Sequence, residues 1–257
     1  MNNAYKMIEV KGLSIDYYNE KYVLKDISFE VLKNESLCII GPNGCGKSTL
    51  LKSLCRIVDF KGDILINNEN IRKIDAYKTI ALMSQMSAIY FGYSVYDTVM
   101  MGRYFNYKDK LLSMPSREDK DFVIYYMDKL KIMHLKDKII TELSGGELQR
   151  VFLARTLVQN PSIILMDEPT NHLDLNSQIE LIYNLKDWVQ NGSRCIISVL
   201  HDINSVFNFA DKLLILKNGS LEYFGSIKNF DISLLNRVYD IDVAGYMSKS
   251  FQKWSIF

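Results

Sequence analysis

Paired cysteines are missing from this chain of 257 residues. Its four cysteines, Cys38, Cys45, Cys55 and Cys195, include no Cys-x-x-Cys pair, so the sequence indicates neither a zinc site nor a disulfide framework. Unpaired thiols are typical of the reducing cytosol. Cys45 lies in a glycine-rich loop close to Lys47, where the lysine and a following helix N-terminus could lower its pKa. The alternative is an inert small residue that fills a loop position.

Long apolar runs and an excess of one charge are missing as well. No apolar stretch is as long as a bilayer span, and the first six residues lack the apolar core of a signal peptide. We therefore expect a soluble chain that relies on another polypeptide if it works at a membrane. The 31 Lys and Arg residues against 30 Asp and Glu residues give a net charge of +1, which argues against a nucleic-acid surface.

The secondary-structure signals divide the chain into three regions. β signals dominate from residue 7 to about 85, and they return after Pro161. Between them, from about 94 to 160, the apolar residues have helical spacing, and Ser116 is placed to cap one helix. Asn218-Gly219 predicts a hairpin turn. The sequence thus predicts an α/β core that is interrupted by a helical insert.

A glycine-rich loop follows an apolar run and precedes a helical pattern. Its residues are Gly41, Pro42, Asn43, Gly44, Cys45, Gly46, Lys47, Ser48 and Thr49. Strand, glycine-rich loop, Lys-Ser/Thr and helix in this order predict a nucleotide phosphate site lined by backbone N–H groups. Lys47 would neutralise the β- and γ-phosphates, and Ser48 would offer its hydroxyl to Mg²⁺. The alternative is a glycine-rich turn that matches by chance.

A second apolar strand, predicted over 163–166, runs directly into Asp167 and Glu168. In a doubly wound sheet, ligand chemistry lies at the C-terminal ends of the strands. Asp167 would hold the Mg²⁺ shell, and Glu168 would orient and deprotonate an attacking water. Alone, this run also fits a strand end whose acids are merely solvated, but the glycine-rich loop favours the functional interpretation.

A second glycine motif opens a predicted helix within residues 143–150. It contains Ser144, Gly145, Gly146 and Glu147, and adjacent glycines at a helix start could receive a phosphate. One chain with two phosphate-binding motifs on different lobes suggests that two chains face each other. Each glycine-rich loop would then meet the partner's serine-glycine motif across bound ATP.

With these motifs in order, the sequence resembles the ATP-binding subunit of an ABC transporter over nearly its whole length. The resemblance adds Gln85 at the Q-loop position, Leu173-Asp174 at the D-loop and His201 at the switch histidine. Glu147 replaces the glutamine of the commonest signature form. We expect little effect, because Ser144 and the glycine amides would make the phosphate contacts.

The resemblance implies an α/β fold: a P-loop NTPase (RecA-like) core with an antiparallel β subdomain and an inserted α-helical subdomain. A single ABC ATPase domain would span residues 1–257. Its RecA-like and β parts would comprise 1–87 and 161–257, and its helical subdomain, which carries the signature motif, would comprise 88–160.

The resemblance also implies ATP and Mg²⁺ as cofactors and a role for each site residue. Tyr18 would stack on adenine, with Tyr17 as the runner-up and packing on the sheet as the alternative. Gln85 would sense Mg²⁺ and water, and His201 would contact the γ-phosphate and hold the geometry of water and Glu168. A capping or packing role is the alternative for His201.

Three sets of residues result. The catalytic set is Lys47, Gln85, Glu168 and His201. The metal set is Ser48, Gln85 and Asp167. The nucleotide set comprises Tyr18, the loop 41–49, the motif 144–147 and Asp174. His134 and His172 receive no role.

Finer features resemble the importers of iron–siderophore, haem and cobalamin. They are the stretch 93–103, the segment 167–174, the switch context 199–204 and the tail 234–243. This likeness implies a second copy of the ATPase, a transmembrane permease bound around 85–103, indirectly a substrate-binding protein, and no nucleic acid. It places the chain at the cytoplasmic face of a bacterial membrane. The alternatives are a metal-ion importer, an exporter and, less favoured, a soluble ABC ATPase that acts on nucleic acid.

Overall fold

A computed structural model describes residues 5–17, 21–84, 92–107, 114–171 and 173–254. The strands are β1 (Lys6–Tyr17), β2 (Lys21–Leu32), β3 (Ser36–Ile40), β4 (Lys61–Ile66), β5 (Glu69–Asn70), β6 (Ile80–Met83), β7 (Ile163–Asp167), β8 (Cys195–Val199), β9 (Lys212–Lys217) and β10 (Ser220–Ser226). The helices are α1 (Lys47–Leu54), α2 (Ala76–Thr79), α3 (Val95–Met100), α4 (Tyr104–Tyr107), α5 (Arg117–Lys129), α6 (Gly145–Val158), α7 (Leu175–Gln190), α8 (Ile203–Phe209), α9 (Ser233–Tyr239) and α10 (Val243–Trp254).

The strands form two sheets. Four strands make an antiparallel sheet in the order β2-β1-β4-β5. Six strands make the second sheet in the order β10-β9-β3-β8-β7-β6, in which only the β9–β10 pair among the described pairings is antiparallel. Since parallel strands end at one edge, the segments after β3, β7 and β8 lie at the same edge of the sheet.

The strands β3, β7, β8 and β9 of the six-stranded sheet are buried on both faces, which explains their continuous apolar runs. Every residue of β3 is buried. Leu37 and Ile39 face the core that contains the leucines of α1, whereas Cys38 and Ile40 face a second core that contains α6. The alternation along β3 therefore packs helices on both sides, as an α/β fold requires.

The helical insert lies between β6 and β7 and is assembled from α3, α4, α5 and α6. Ser116 caps α5 as predicted, because its hydroxyl accepts from the backbone N–H of Asp119 and the Asp119 carboxylate accepts from Ser116 N–H. α5 begins at Arg117, directly after the predicted cap Ser116, and ends at Lys129. The predicted hairpin at Asn218-Gly219 joins β9 to β10.

The observed architecture confirms the expected fold class. It contains a mainly parallel α/β core, an antiparallel β sheet and a helical insert between β6 and β7. The limits 1–87, 88–160 and 161–257 stay a prediction.

Candidate active site

The glycine-rich loop joins β3 to α1, and its backbone requires glycine at two positions. Gly41 has a φ of 148° and Gly46 a φ of 104°, values that L side chains rarely adopt. A Cβ at position 41 would lie 2.1 Å from the carbonyl oxygen of Leu216, and one at position 46 would lie 2.6 Å from Cδ2 of Leu24. The loop therefore packs closely against β2 and β9 and leads directly into the N-terminus of α1.

Lys47 opens α1 and is buried beneath the loop, with 6% of its surface exposed. Its Nζ donates to the carbonyl oxygens of Gly41 at 2.8 Å and of Pro42 at 3.0 Å. These bonds hold the ammonium group in the hollow of the loop. A groove at this point is lined by Val23, Asn43, Gly44, Gly46, Lys47, Ser48, Thr49 and Glu168.

Asp167 ends β7 on the face of the sheet that α1 covers. Leu165 packs in the core with the leucines of α1, and Asp167, two residues further, points to the same side. Among the described residues, its buried Oδ1 has no hydrogen-bond partner. Buried carboxylate oxygens need a partner, and the hydroxyl of Ser48 lies in the first turn of α1. Carboxylate and hydroxyl oxygens are the ligands that Mg²⁺ prefers, so these donors fit that ion.

Glu168 follows in a left-handed conformation, with a φ of 54°. Its backbone N–H donates to the carbonyl oxygen of Val199 at 3.1 Å, which fixes it beside the end of β8. One carboxylate oxygen contacts Nε2 of His201, and the other accepts from Nδ2 of Asn171. A positive φ at a residue other than glycine costs energy that the surroundings must supply, and it is frequent at functional sites.

The serine-glycine motif forms the N-terminus of α6. Ser144 is the N-cap, and its hydroxyl and backbone N–H both donate to the Glu147 carboxylate, at 2.7 and 2.8 Å. These hydrogen bonds hold the pKa of Glu147 below its ordinary value. The glutamate at this position thus stays charged and completes a capping box.

Asp174 begins α7 next to this motif. Its carboxylate accepts from the backbone N–H of Ser177 at 2.7 Å, a bond that lowers the pKa of Asp174. A Cβ added to Gly146 would lie 3.0 Å from the Ser177 hydroxyl, so the starts of α6 and α7 touch. The predicted D-loop and signature residues are therefore neighbours in one chain.

Residues of the two predicted phosphate-binding motifs line different cavities. Among the described residues, none of 144–147 lines the groove of the glycine-rich loop. Gly146 instead lines a second cavity between the end of α5, α6 and α7, together with Arg150, Ser177 and Glu180. This separation is what the sequence predicts if each site is completed by a second chain.

Comparison with known proteins identifies the family. The sequence profile described as ABC transporter matches residues 24–171, more than half of the chain. The chain belongs to the ABC transporter family. ATP-binding subunits of ABC transporters hydrolyse ATP, so this subunit is an ATPase. Such subunits work as dimers with transmembrane permease subunits. Over the part of the chain that the structure describes, we find no helix long and apolar enough to cross a membrane.

Relatives of this ABC ATPase cover most of its length. It is 32% identical to the petrobactin import ATP-binding protein YclP of Bacillus subtilis, over 92% of this chain and 94% of the relative. It is 36% identical to the hemin import ATP-binding protein HmuV of Pseudoalteromonas translucida, over 87% and 88%. A solved inward-facing ABC transporter, proposed to be of the metal-chelate type, matches with 30% identity and a TM-score of 0.80, over 92% and 89%.

The structure brings three predicted catalytic residues of the ABC ATPase to one edge of the sheet. Glu168 lines the same groove as Lys47, and it contacts His201. Burial leaves 19% of the Glu168 side chain and 36% of the His201 side chain exposed. A nucleotide in the groove would thus meet a cation from α1, and a carboxylate and an imidazole from the ends of β7 and β8. Their roles in hydrolysis remain a prediction.

The expectation of a lowered Cys45 pKa is wrong. Cys45 is 4% exposed and packs in the core below the loop. Burial raises the pKa of its thiol, and this effect outweighs the opposite influence of Lys47. The other interpretation holds, in which Cys45 is a small residue that fills the loop interior.

For several residues singled out in the sequence, the structure does not test the predicted role. Tyr18, Gln85 and His172 lie outside the described residues, so their roles stay predictions. Of Tyr17, the structure describes only the backbone, at the end of β1. His134 lies in a short 3₁₀ turn of the helical insert, and the structure gives it no part in the groove.

Two residues near the site were not predicted. Asn171 contacts Glu168, and Gln149 donates to the carbonyl oxygen of Pro169. The position of Asn171, three residues after a candidate base, is a signal that the sequence offers. Gln149 gives a signal as a polar residue among apolar ones on the buried face of α6.

Proposed function

We propose that this chain is the ATP-hydrolysing subunit of an importer for an iron–siderophore or haem complex. The support comes from relatives named for the import of petrobactin and hemin, each covering more than four fifths of this chain. The structural neighbour of the metal-chelate type supports the same class of cargo.

One observation carries the catalytic part of the proposal: Glu168 shares a groove with Lys47 while it contacts His201. Lys47 and the N–H groups of the loop and of α1 bind the β- and γ-phosphates. Glu168 accepts a proton from the attacking water, and His201 orients the carboxylate. Catalysis then comes mainly from positioning and charge neutralisation.

Ser48 and Asp167 would hold Mg²⁺, with Gln85 completing the predicted set. The orphaned Oδ1 of Asp167 supports this assignment. When bound, the ion would neutralise charge on the phosphate oxygens.

A second copy of the chain completes each site. Gly146 of the Ser144 motif and the glycine-rich loop line separate cavities, which supports assigning the motif of one chain to the nucleotide held by the other. Closure of two chains on ATP brings Ser144 of one against the loop of the other. Hydrolysis then releases them.

The permease would dock on the helical insert at the cytoplasmic face of the membrane, with a substrate-binding protein delivering cargo on the far side. Near the predicted segment 85–103, Tyr93, Tyr104 and Phe105 are 45%, 50% and 42% exposed. Exposed aromatic side chains are enriched in protein interfaces. The nearly neutral net charge argues against a nucleic-acid partner.

Affinity purification of the tagged chain from native membranes tests this proposal. We expect a multi-span permease to co-purify, and cells that express Lys47→Ala in place of the native chain to lose uptake of labelled iron–siderophore or haem. Lys47→Ala should still retain the permease. Purification without any multi-span protein, or unchanged uptake with Lys47→Ala, would refute the proposal.

A further inference from the structure

Gln149 connects the serine-glycine helix to the segment that carries Glu168. It lies in the second turn of α6, is 6% exposed, and donates from Nε2 to the carbonyl oxygen of Pro169 at 2.5 Å. Pro169 directly follows Glu168. A single side chain therefore joins the helix that begins at Ser144 to the peptide next to the candidate base.

Side-chain amides add to the backbone hydrogen bonds of the turn that follows Glu168, in which N–H of Asn171 donates to the carbonyl oxygen of Glu168 at 3.3 Å. From α7, Nε2 of Gln178 donates to the carbonyl oxygens of Leu173 at 3.1 Å and of Thr170 at 3.4 Å. Within the segment, Asn171 donates to Glu168. The segment is thus held between α6 and α7, and Gln149 supplies the hold from α6.

We propose that Gln149 is a positioning residue that links the state of the Ser144 motif to the orientation of Glu168 in the same chain. The inference rests on the proposed function, in which Ser144 binds ATP held by a second copy. A helix moves as a rigid unit, so a shift at its N-terminus reaches its second turn. Through its hydrogen bond, Gln149 then displaces the Pro169 carbonyl. ATP bound at one site thereby changes the orientation of the Glu168 that serves the other site.

Loss of the Gln149 hydrogen bond should affect the rate of ATP hydrolysis more than the affinity for ATP. Glu168 is held at a φ of 54°, a conformation that persists only when neighbouring contacts enforce it. Loss of the Gln149 bond leaves a buried carbonyl without its donor and frees the segment. A misplaced base slows hydrolysis, whereas Lys47 and Ser144, which would bind the phosphates, are untouched.

The test compares Gln149→Met with Gln159→Met. Each variant removes a glutamine of α6 or its cap that donates from Nε2 to backbone carbonyl oxygens. Gln159, at the C-terminal end of α6, donates to the carbonyl oxygens of Tyr77 and Ile80 at 2.7 and 3.2 Å. Of these two glutamines, it is Gln149 that donates to the residue after Glu168. For each full-length variant one measures kcat, the ATP concentration at half-maximal rate, and the melting temperature. If Gln149→Met does not fold, Gln149→Ala, which leaves room for water at the Pro169 carbonyl, replaces it.

For Gln149→Met we expect kcat to fall about tenfold or more. The half-maximal ATP concentration should stay within about twofold of that of the unaltered chain. Gln159→Met should lower the melting temperature without changing kcat. An unchanged kcat for Gln149→Met, or an equal loss in both variants, overturns the inference. An unaltered chain that hydrolyses no ATP refutes the proposed function instead.

Discussion

At the scale of single residues, the site is defined by which polar groups are already engaged. Nζ of Lys47 donates hydrogen bonds to two loop carbonyl oxygens, and the Glu168 carboxylate contacts His201 and Asn171. The Oδ1 of Asp167 is buried without a partner among the described residues. The Oδ1 of Asp167 is therefore a candidate ligand for a cation. Contacts on both carboxylate oxygens fix the orientation of Glu168.

Asn171→Ala should lower the rate of ATP hydrolysis with little change in ATP affinity. Its amide holds one oxygen of Glu168, so its loss lets the carboxylate rotate away from the water. We expect kcat to fall about tenfold, measured by phosphate release under saturating ATP. A variant that instead raises the half-maximal ATP concentration and keeps kcat would assign Asn171 to binding.

The four cysteines should resist alkylation in the native protein. Burial raises the pKa of each thiol, to about 12 for Cys55, and the reactive thiolate is scarce at neutral pH. Iodoacetamide at pH 7.5 should leave all four unmodified by mass spectrometry and leave hydrolysis intact, while urea exposes all four. Rapid modification of Cys45 in the folded chain would contradict the burial.

At the scale of elements, the helical insert depends on a buried ion pair between α5 and the turn before α4. Nε and Nη2 of Arg103 both lie 2.9 Å from Oδ1 of Asp119, and Nη1 donates to the carbonyl oxygen of Val158 at 3.0 Å. Burial alone would raise the pKa of Asp119, but hydrogen bonds from Ser116 and the Arg103 charge lower it overall. The carboxylate therefore stays charged and ties α5 to α6 through Arg103.

Arg103→Ala should reduce the free energy of unfolding by about 3–5 kcal/mol, because it removes one partner of a buried ion pair. Arg117→Ala is the matched control: its side chain is 96% exposed and 3.9 Å from Asp121, so the loss should stay below about 0.5 kcal/mol. Urea unfolding measures both. Equal losses would show that the Arg103 pair contributes no more than a surface pair.

The pH dependence of this stabilisation follows from the direction of the shift. Because the fold lowers the pKa of Asp119, its contribution is complete above its ordinary pKa of 3.8 and is lost as the pH falls through the lower, folded value. The stability difference between the native chain and Arg103→Ala should therefore shrink below pH 3.8 and remain constant at neutral pH. A difference that grew on acidification would contradict the assignment.

The sequence predicted the elements better than it predicted their contacts. Local rules identified the Ser116 cap, the Asn218-Gly219 hairpin and the strand that ends at Asp167, because each depends on adjacent residues. Burial of Cys45 and the bond from Gln149 to Pro169 depend on segments that are distant in sequence, so local pattern could not predict them. The family resemblance gave His201 a γ-phosphate contact and a part in holding the geometry of water and Glu168, but its direct contact with Glu168 was not predicted.

At the scale of the whole molecule, we propose that each chain contributes its glycine-rich loop to one ATP site and its Ser144 motif to a second. The glycine-rich loop and Gly146 of the Ser144 motif line different cavities, and side chains of α6 and α7 donate to Pro169, Thr170 and Leu173. We therefore expect nucleotide binding to be coupled to the association of two copies. Closing of the pair, transmitted through the helical insert, would then move the permease.

The most direct test of this central claim is the molar mass of Glu168→Gln in solution with and without ATP, measured by light scattering after size-exclusion chromatography. We expect this variant to bind ATP without hydrolysing it, and therefore to be a monomer that becomes a dimer when ATP is added. Adding Ser144→Arg to the same variant should keep it monomeric, because the bulky side chain blocks the motif that reaches the partner's nucleotide. A chain that stays monomeric with ATP, or that dimerises regardless of Ser144, would contradict the account.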